Sequence, residues 1–482
     1  MAEQAMDTRQ MADAAQNSAS VSRANSLAAR GARRMIHGFT ELATMRARGP
    51  DLITAGSGIY VFDENGTPYI EGASGMWCTS LGFGEQELID AAIEQFHKLP
   101  YYHTLAYRSV GPAIELADRL AATLPIRDAR IHFALSGSEA NDFLIKFVRA
   151  HFNGIGQPQK KKIISRINGY HGATHMAASL TGIAGNHKGF DMPLPGIIHV
   201  GEPNLYNHGL PGESAEEFAA RLVEELEQVI AREGPDTIAA FIAEPVTGAG
   251  GVTLAPPGYY DRIQTILARH EILFLADEVV TGFHRTGPFW GCETTGIRPD
   301  AMTMAKGMTS AYQPLSAIAV SPQIYAGMEA ESSRNGYFGH GTTHSGHPVA
   351  CAVALKVLDL IESRDIAGHV ARVSGRFAAR LAAFRDHPLV GDVRAVGLMG
   401  AVEFSPDKAR RARFPQVGAF GARVKACAET GQRLICRALP GRDACAFSPP
   451  LIITEAEIDE MFDRFGRALD AATAEWMAEA GV

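Results

Sequence analysis

Three short stretches of this sequence put reactive side chains where a buried strand gives way to a turn. Ser136, Gly137, Ser138 and Glu139 follow the apolar run IHFAL and open the helix-like run ANDFLIKFVR. Backbone N–H groups at a helix start, the helix dipole and two hydroxyls all favour an anion there, and a glycine lets it come close. Asp277 and Glu278 end the run ILFLA. An acid at the carboxyl end of a buried strand faces a ligand crevice, and its burial demands a cation; a protonated pyridine nitrogen would serve. Lys306 follows 29 residues later, behind the apolar stretch AMTMA and before Gly307. Apolar surroundings disfavour the charged amine and bring it toward the range where it attacks carbonyl carbons. Each part alone has a plain reading, an ordinary Ser N-cap or a lysine reaching for solvent. Their order along one chain is what gives them meaning together.

Such turns need a sheet to hold them. Apolar runs at Ile131–Leu135, Ile163–Ile167, Ile238–Ala243, Ile272–Ala276 and Leu315–Val320 alternate with helix-like stretches. That is the punctuation of βαβ units, and it predicts an α/β fold with a mostly parallel sheet buried on both faces. One of the covering helices is legible residue by residue. Ser214 and Glu217 make a capping box, and Phe218, Leu222, Leu226 and Ile230 repeat at four-residue spacing up to Gly234. Ahead of the sheet, residues 1–35 read as a loose arm, and 36–80 as an N-terminal segment belonging to a small domain. The segment Ile59–Ile70 alternates around Asn65 and Gly66, the signature of a tight hairpin. Residues 81–344 form the large domain, and 345–482 a smaller α+β domain. The latter ends in a helix capped by Thr454 and Glu457, with Ile458, Met461, Phe465 and Leu469 along one side.

Composition narrows the class. Over 482 residues, 45 Lys plus Arg against 53 Asp plus Glu give a net charge of −8, and 20% charged with 46% hydrophobic residues is the balance of a folded globular protein. The one basic run, Lys160–Lys162, is short and enters an apolar strand, so nucleic acid is not an expected partner. No apolar run reaches the roughly 18–20 residues that a membrane helix needs, and the start lacks the layout of a signal peptide. Six cysteines, at 78, 292, 351, 427, 436 and 445, are scattered without a C-x-x-C pair, which argues against both zinc and a disulfide framework and for a reducing cytoplasm.

A phosphate cradle, a carboxylate for a ring nitrogen and a Schiff-base lysine are the three things a protein must offer pyridoxal phosphate. Six segments carry a resemblance further: SGSEAND from Ser136, GYHGATHMAAS from Gly169, AEPVTGAGGV from Ala243, ADEVVTGFHRTG from Ala276, AKG from Ala305 and GTTHSGHPVA from Gly341. In these the chain resembles the class III aminotransferases of pyridoxal phosphate fold type I, over nearly all of its length beyond about residue 35. The resemblance implies a large domain on a seven-stranded sheet, and a homodimer that could pair further. It implies that Gly137 and Ser138, with Ser136 beside them, hold the phosphate, and that Thr343 reaches it from a second subunit. Tyr170, next to His171, would cover one face of the ring and Val279 the other. Asp277 would pair with the ring nitrogen, Lys306 would form the internal aldimine, and Glu244 would be an acid on the substrate side of the cofactor pocket.

Within the family the nearest likeness is to the ω-amine:pyruvate transaminases. Trp77 in GASGMWC, Tyr102 in LPYYHT and Arg437 in LICRAL, with Tyr170, stand where those enzymes line the pocket and recognise carboxylates. Arginine suits both halves of such a reaction: its fork binds a carboxylate, and its long stem can swing aside for an apolar group. The expected reaction is therefore transfer of an amino group from an amine or ω-amino acid to pyruvate or another 2-oxo acid, in two ping-pong stages. Family members that use glutamate carry glutamine where this chain has Val280, which favours pyruvate over 2-oxoglutarate. Two features sit apart from the pattern. His284 replaces the usual glycine before Arg285, and Arg442 in LPGRDACAFSPP rivals Arg437 as a carboxylate binder. An aminomutase, epimerase or decarboxylase on the same fold, or a non-catalytic binder of the cofactor, are the alternative readings.

Overall fold

A computed structural model describes residues 26–439 and 441–481; most of the expected N-terminal arm, residues 1–25, lies outside the described residues. The chain divides into two units. One consists of residues up to Gly56 with Tyr60–Tyr69, the other of Ser57–Ile59 with Ile70–Val482. In the first, Ser26 caps the helix Leu27–Arg34 by accepting from the N–H of Ala29, and a second helix spans Leu42–Arg48. The Asn65-Gly66 turn is present. The Asp63 carboxylate accepts the N–H groups of Asn65 and Thr67, both at 2.8 Å, and Gly66 takes φ +76°, which glycine adopts without strain.

The second unit is built on the expected sheet. Its strands are β1 (Arg130–Ala134), β2 (Lys162–Arg166), β3 (Ile197–Val200), β4 (Ile238–Ala243), β5 (Leu273–Asp277), β6 (Ala301–Met304) and β7 (Ser316–Val320), in the order β1-β7-β6-β5-β4-β2-β3. All neighbours run parallel except β7, which is antiparallel to both β1 and β6. β4 is buried at every position, the mark of a strand covered on both faces. Helix α1 (Gly137–Gly154) lays Leu144, Ile145 and Val148 against Ile163, Ile242, Leu275 and Ile318 of the sheet. On helix α2 (Ala215–Glu233) the capping box of Ser214 and Glu217 is formed, and Phe218, Leu222, Leu226 and Ile230 are the buried stripe.

The C-terminal part carries an antiparallel sheet of β8 (Val390–Val396), β9 (Met399–Phe404), β10 (Arg437–Ala438) and β11 (Ala444–Phe447), in the order β8-β9-β11-β10. Just before β10, Leu434 and Ile435 pair in parallel with Ile70 and Glu71, so chain ends far apart in sequence share one ladder. The closing helix α3 (Glu455–Ala480) has its capping box, and Ile458, Met461, Phe465 and Leu469 are fully buried. Among the described residues no helix is long and apolar enough to cross a membrane.

Candidate active site

The carboxyl ends of β4, β5 and β6 lie side by side, and a polar residue singled out by the sequence ends β5 or follows within two residues of the end of β4 and β6. Asp277 closes β5 in register with Thr303 of β6, which places Lys306 just beyond the end of the neighbouring strand. The 29-residue separation is thus one crossover between adjacent parallel strands. Lys306 begins a short 3-10 turn with φ +48°, a left-handed conformation that a side chain normally avoids. From Ala301 to Ser310 it is the one residue that is not buried. Burial on all other sides pushes its amine below the usual lysine range, and Asp277 opposes that shift. Among the described residues it makes no ion pair within 4.0 Å.

Asp277 is 3% exposed. Its Oδ2 accepts from Asn141 Nδ2 at 2.8 Å and lies 2.7 Å from His171 Nδ1; its Oδ1 accepts from the N–H of Val279 at 3.1 Å. A carboxylate only accepts, so the proton of His171 sits on Nδ1. Asn141 is fixed in turn, donating to the carbonyl of His171 at 2.7 Å and accepting from Thr303 Oγ1 at 2.8 Å. The acid is thereby aimed by two side chains and one backbone N–H, while no lysine or arginine of the described residues neutralises it. Asn141 and Thr303 are the functional residues that sequence reasoning missed. Asn141 stood inside the SGSEAND segment, and its signal was a polar side chain on the sheet-facing side of an otherwise apolar helix.

The cradle forms at the start of α1. Ser136 is the N-cap and its hydroxyl takes the N–H of Glu139 at 3.2 Å, which leaves the N–H groups of Gly137 and Ser138 without helical partners. The loop after β2 wraps this corner: Ser138 Oγ accepts from the N–H of Ala173 at 3.0 Å, and Thr174 Oγ1 donates to the Ser138 carbonyl at 3.2 Å. Two glycines make the approach possible. A Cβ on Gly172, at φ +138°, would lie 2.5 Å from Ser138 Oγ, and one on Gly137 would lie 2.8 Å from a methyl of Val279. Gly172→Ala is therefore expected to cost about 1–3 kcal/mol by overpacking, read as a lower urea midpoint. Unchanged stability would mean that the loop does not grip the helix.

Tyr170 and Val279 flank this corner, both half-buried. Glu244, just past β4, holds the tyrosine's backbone. One carboxylate oxygen accepts the N–H of Tyr170 at 2.9 Å and the other that of Gly248 at 2.8 Å, tying two loops together. Burial pushes this carboxyl above its usual range, and the charge of Asp277 adds to the shift. Behind it, the fully buried Arg166 donates to the Glu244 carbonyl at 2.6 Å and to Tyr260 Oη at 2.8 Å.

Trp77, at φ +65°, is buried in an apolar cluster with Val246, Val252, Met399, Leu439 and Ala446, against which Val280 also packs. Arg437 at the start of β10 is half-buried near Tyr170, and burial pushes its guanidinium below the usual arginine range. Its Nη1 reaches the sulfur of Met76 at 2.9 Å, its Nε is buried without a partner, and no carboxylate of the described residues pairs with it. Arg442, the rival, is committed elsewhere. It is buried against both carboxylate oxygens of Glu202, with Glu403 3.6 Å away. Arg442 is thus engaged by carboxylates of this chain, whereas Arg437 is not. His284 also gains an explanation: at φ +66° it occupies a conformation that glycine enters freely, held by Nδ1 at 2.9 Å from the Gly287 carbonyl and by an edge contact with Phe289.

Two residues stand away from this assembly. Tyr102 is partly exposed and stacks on His103, ring centroids 4.6 Å apart. Thr343 is exposed on its loop, and its carbonyl accepts from Tyr101 Oη at 2.8 Å.

Comparison with known proteins places the whole chain beside one family. The model of the family Aminotransferase class-III matches residues 45–469. Gamma-aminobutyrate transaminase 1, mitochondrial, of Oryza sativa subsp. japonica is 44% identical over 431 residues, covering 89% of this chain and 83% of that protein. The crystal structure of the omega transaminase from Pseudomonas jessenii in complex with PMP superposes with a TM-score of 0.92 at 45% identity, over 94% of this chain and 99% of that one. A structure of a transaminase with L-alanine gives a TM-score of 0.86 at 45% identity, over 88% of this chain and all of that one.

Proposed function

The chain belongs to the class-III aminotransferases, and from that premise we propose that it moves an amino group from an amine or ω-amino acid to pyruvate or a related 2-oxo acid by a two-stage, ping-pong exchange. The family's cofactor is pyridoxal 5′-phosphate, which when bound supplies an aldehyde to capture the amine and an electron-poor ring to stabilise charge at the substrate carbon. The residues present fit that group. The cradle offers unpaired N–H groups and the Ser138 hydroxyl at the positive end of a helix dipole, in a space that a Cβ on Gly172 would fill. Asp277 is a buried anion without a strong cation, the partner that a protonated ring nitrogen needs. Lys306 is an amine that burial pushes below the usual lysine range.

Each residue then has a task. Gly137, Ser138 and Ser136 hold the phosphate; Tyr170 and Val279 hold the ring between an aromatic and a branched face. Asp277, aimed by His171 and Asn141, keeps the ring nitrogen protonated. Glu244 fixes the Tyr170 backbone and the Gly248 loop in one register. Lys306 would carry the proton of the substrate's α carbon, as base and then as acid. Thr343, exposed on its loop, is read as reaching the phosphate of a second copy, so the working unit is a homodimer. A cytoplasmic setting suits six unpaired thiols.

The observation that carries the acceptor assignment is the solitary guanidinium of Arg437. A half-buried cation with an unpartnered Nε and only a thioether for company is a receptor for a carboxylate that arrives with the substrate. The apolar wall of Trp77 and Val280 gives the opposite group a dry surface. Likeness to a transaminase with L-alanine supports the alanine–pyruvate pair, and likeness to a gamma-aminobutyrate transaminase supports an ω-amino acid donor. A donor and acceptor screen by spectroscopic half-reaction tests the reading. Arg437→Ala is expected to lower kcat/KM for pyruvate by about 1.5–3 kcal/mol, the value of a charged hydrogen bond, and to change a carboxylate-free amine far less. Equal losses for both would remove the role.

A further inference from the structure

Behind the apolar wall of the substrate site lies an arginine with no acid to answer it. Arg285 is 2% exposed, and among the described residues no carboxylate lies within 4.0 Å of it. A buried guanidinium without a counter-charge is costly to keep. Here it serves as a bridge. Its Nη1 donates to the carbonyl of Leu398 at 3.1 Å and to that of Pro449 at 2.6 Å, and its own carbonyl accepts the N–H of Leu398 at 3.1 Å. Its Nη2 is buried with no partner. Burial pushes the guanidinium down to about 9, so it stays a cation at neutral pH.

Both carbonyls belong to supports of the wall. Leu398 follows Gly397 in the turn between β8 and β9, and the residues on either side of that turn, Val396 and Met399, pack in the cluster of Trp77. The turn sits tightly on the arginine: Gly397 takes φ +53°, and a Cβ there would lie 2.5 Å from the Arg285 carbonyl oxygen. Pro449 belongs to a segment that brackets Trp77. Beside it, the Ser448 carbonyl accepts from Ser74 Oγ at 2.6 Å and the Ser448 N–H donates to the Gly72 carbonyl at 2.8 Å. Two residues on, the N–H of Leu451 donates to the Ser80 carbonyl at 2.7 Å. Between these anchors Ser74 and Trp77 take φ +48° and +65°, conformations that persist only where the surroundings hold them. Val280, which packs on the same cluster, stands five residues ahead of Arg285 on the loop after β5.

We propose that Arg285 is a positioning residue that sets the width of the apolar side of the substrate site, and with it the length of amine the site accepts. The role rests on amino transfer as proposed. One planar fork fixes two carbonyls, so the Val280 loop, the β8–β9 turn and the Trp77 segment are held in one register. An ammonium on a flexible stem supplies the charge without that geometry.

The test uses cofactor-loaded Arg285→Lys, which keeps the charge and loses the fork, and Arg285→Met, which loses both. Half-reactions are followed with n-alkylamines from propylamine to octylamine. In both variants the spread of kcat/KM across the series is expected to narrow at least about tenfold, the scale on which an apolar pocket distinguishes chain length, with the change carried by KM. Gly397→Ala, which presses the same turn off Arg285 from the other side, is expected to narrow it too and replaces Arg285→Met if that variant does not fold. Equal losses at every length, a parent without length preference, or a parental spread in Arg285→Lys overturns the proposal. Hydrogen exchange needs no turnover and so separates this role from amino transfer itself. Amides of residues 73–81 and 394–404 are expected to exchange faster in Arg285→Lys than in the parent, while those of β2 keep their rate. Parental exchange in both segments overturns the proposal whether or not the chain moves an amino group.

Discussion

Lys306→Ala is expected to abolish measurable amino transfer while the chain folds with undiminished stability. Both halves follow from the geometry. Proton transfer by a positioned amine is worth roughly 10²–10⁴-fold in rate, and in the proposed reading the residue would also anchor the cofactor, so the loss is expected to exceed that range. Stability survives because alanine pays the same penalty at φ +48° that lysine already pays, both having a Cβ. The substitution also withdraws an amine whose charged form burial disfavours. The check is twofold: single-turnover rates with alanine as donor, and borohydride reduction followed by peptide mapping. Near-normal turnover, or a reduced cofactor fixed on another side chain, would end the assignment.

Asp277→Asn is the second large effect. The amide has nearly the shape of the carboxylate, and its oxygen can still accept from His171 and Asn141, so the strand end stays in place. What disappears is the negative charge. Removing one partner of a buried charge pair costs about 2–5 kcal/mol, here expressed as slower proton abstraction because the ring nitrogen is no longer held protonated. Lys306 loses the largest of the influences that favour its charged form, so its amine moves further down. The half-reaction rate, followed at the cofactor's visible band, should fall while cofactor content stays the same. An unaltered rate would mean that another group holds the ring nitrogen.

Local rules carried much of the fold. Both capping boxes, the Asn65-Gly66 turn and the buried stripe of α2 stand where residue types place them, because each depends on neighbours within four positions. The five apolar runs match β1, β2, β4, β5 and β7 within one residue at either end. β3 spans only four residues, too few for a run of apolar side chains to announce, and β6, also four residues, stood out only as the stretch AMTMA ahead of Lys306. The antiparallel sense of β7 is a tertiary outcome with no signature in its own residues. The same division holds at the site. Asp277 and Lys306 were legible because strand ends in a parallel sheet face one crevice. The committed state of Arg442 was not, since its partner Glu202 lies 240 positions away. Nor was the hold of Asn141 on Asp277, which requires knowing which face of α1 meets β5.

The close seat of Val279 over Gly137 has a practical meaning for anyone who diversifies this protein. These positions are separated by more than half of the large sheet's sequence, yet a single methyl decides whether both can be occupied. Randomising either codon alone would return little beyond the parent, whereas a paired library that shrinks residue 279 as it enlarges residue 137 opens combinations that stepwise mutation never samples.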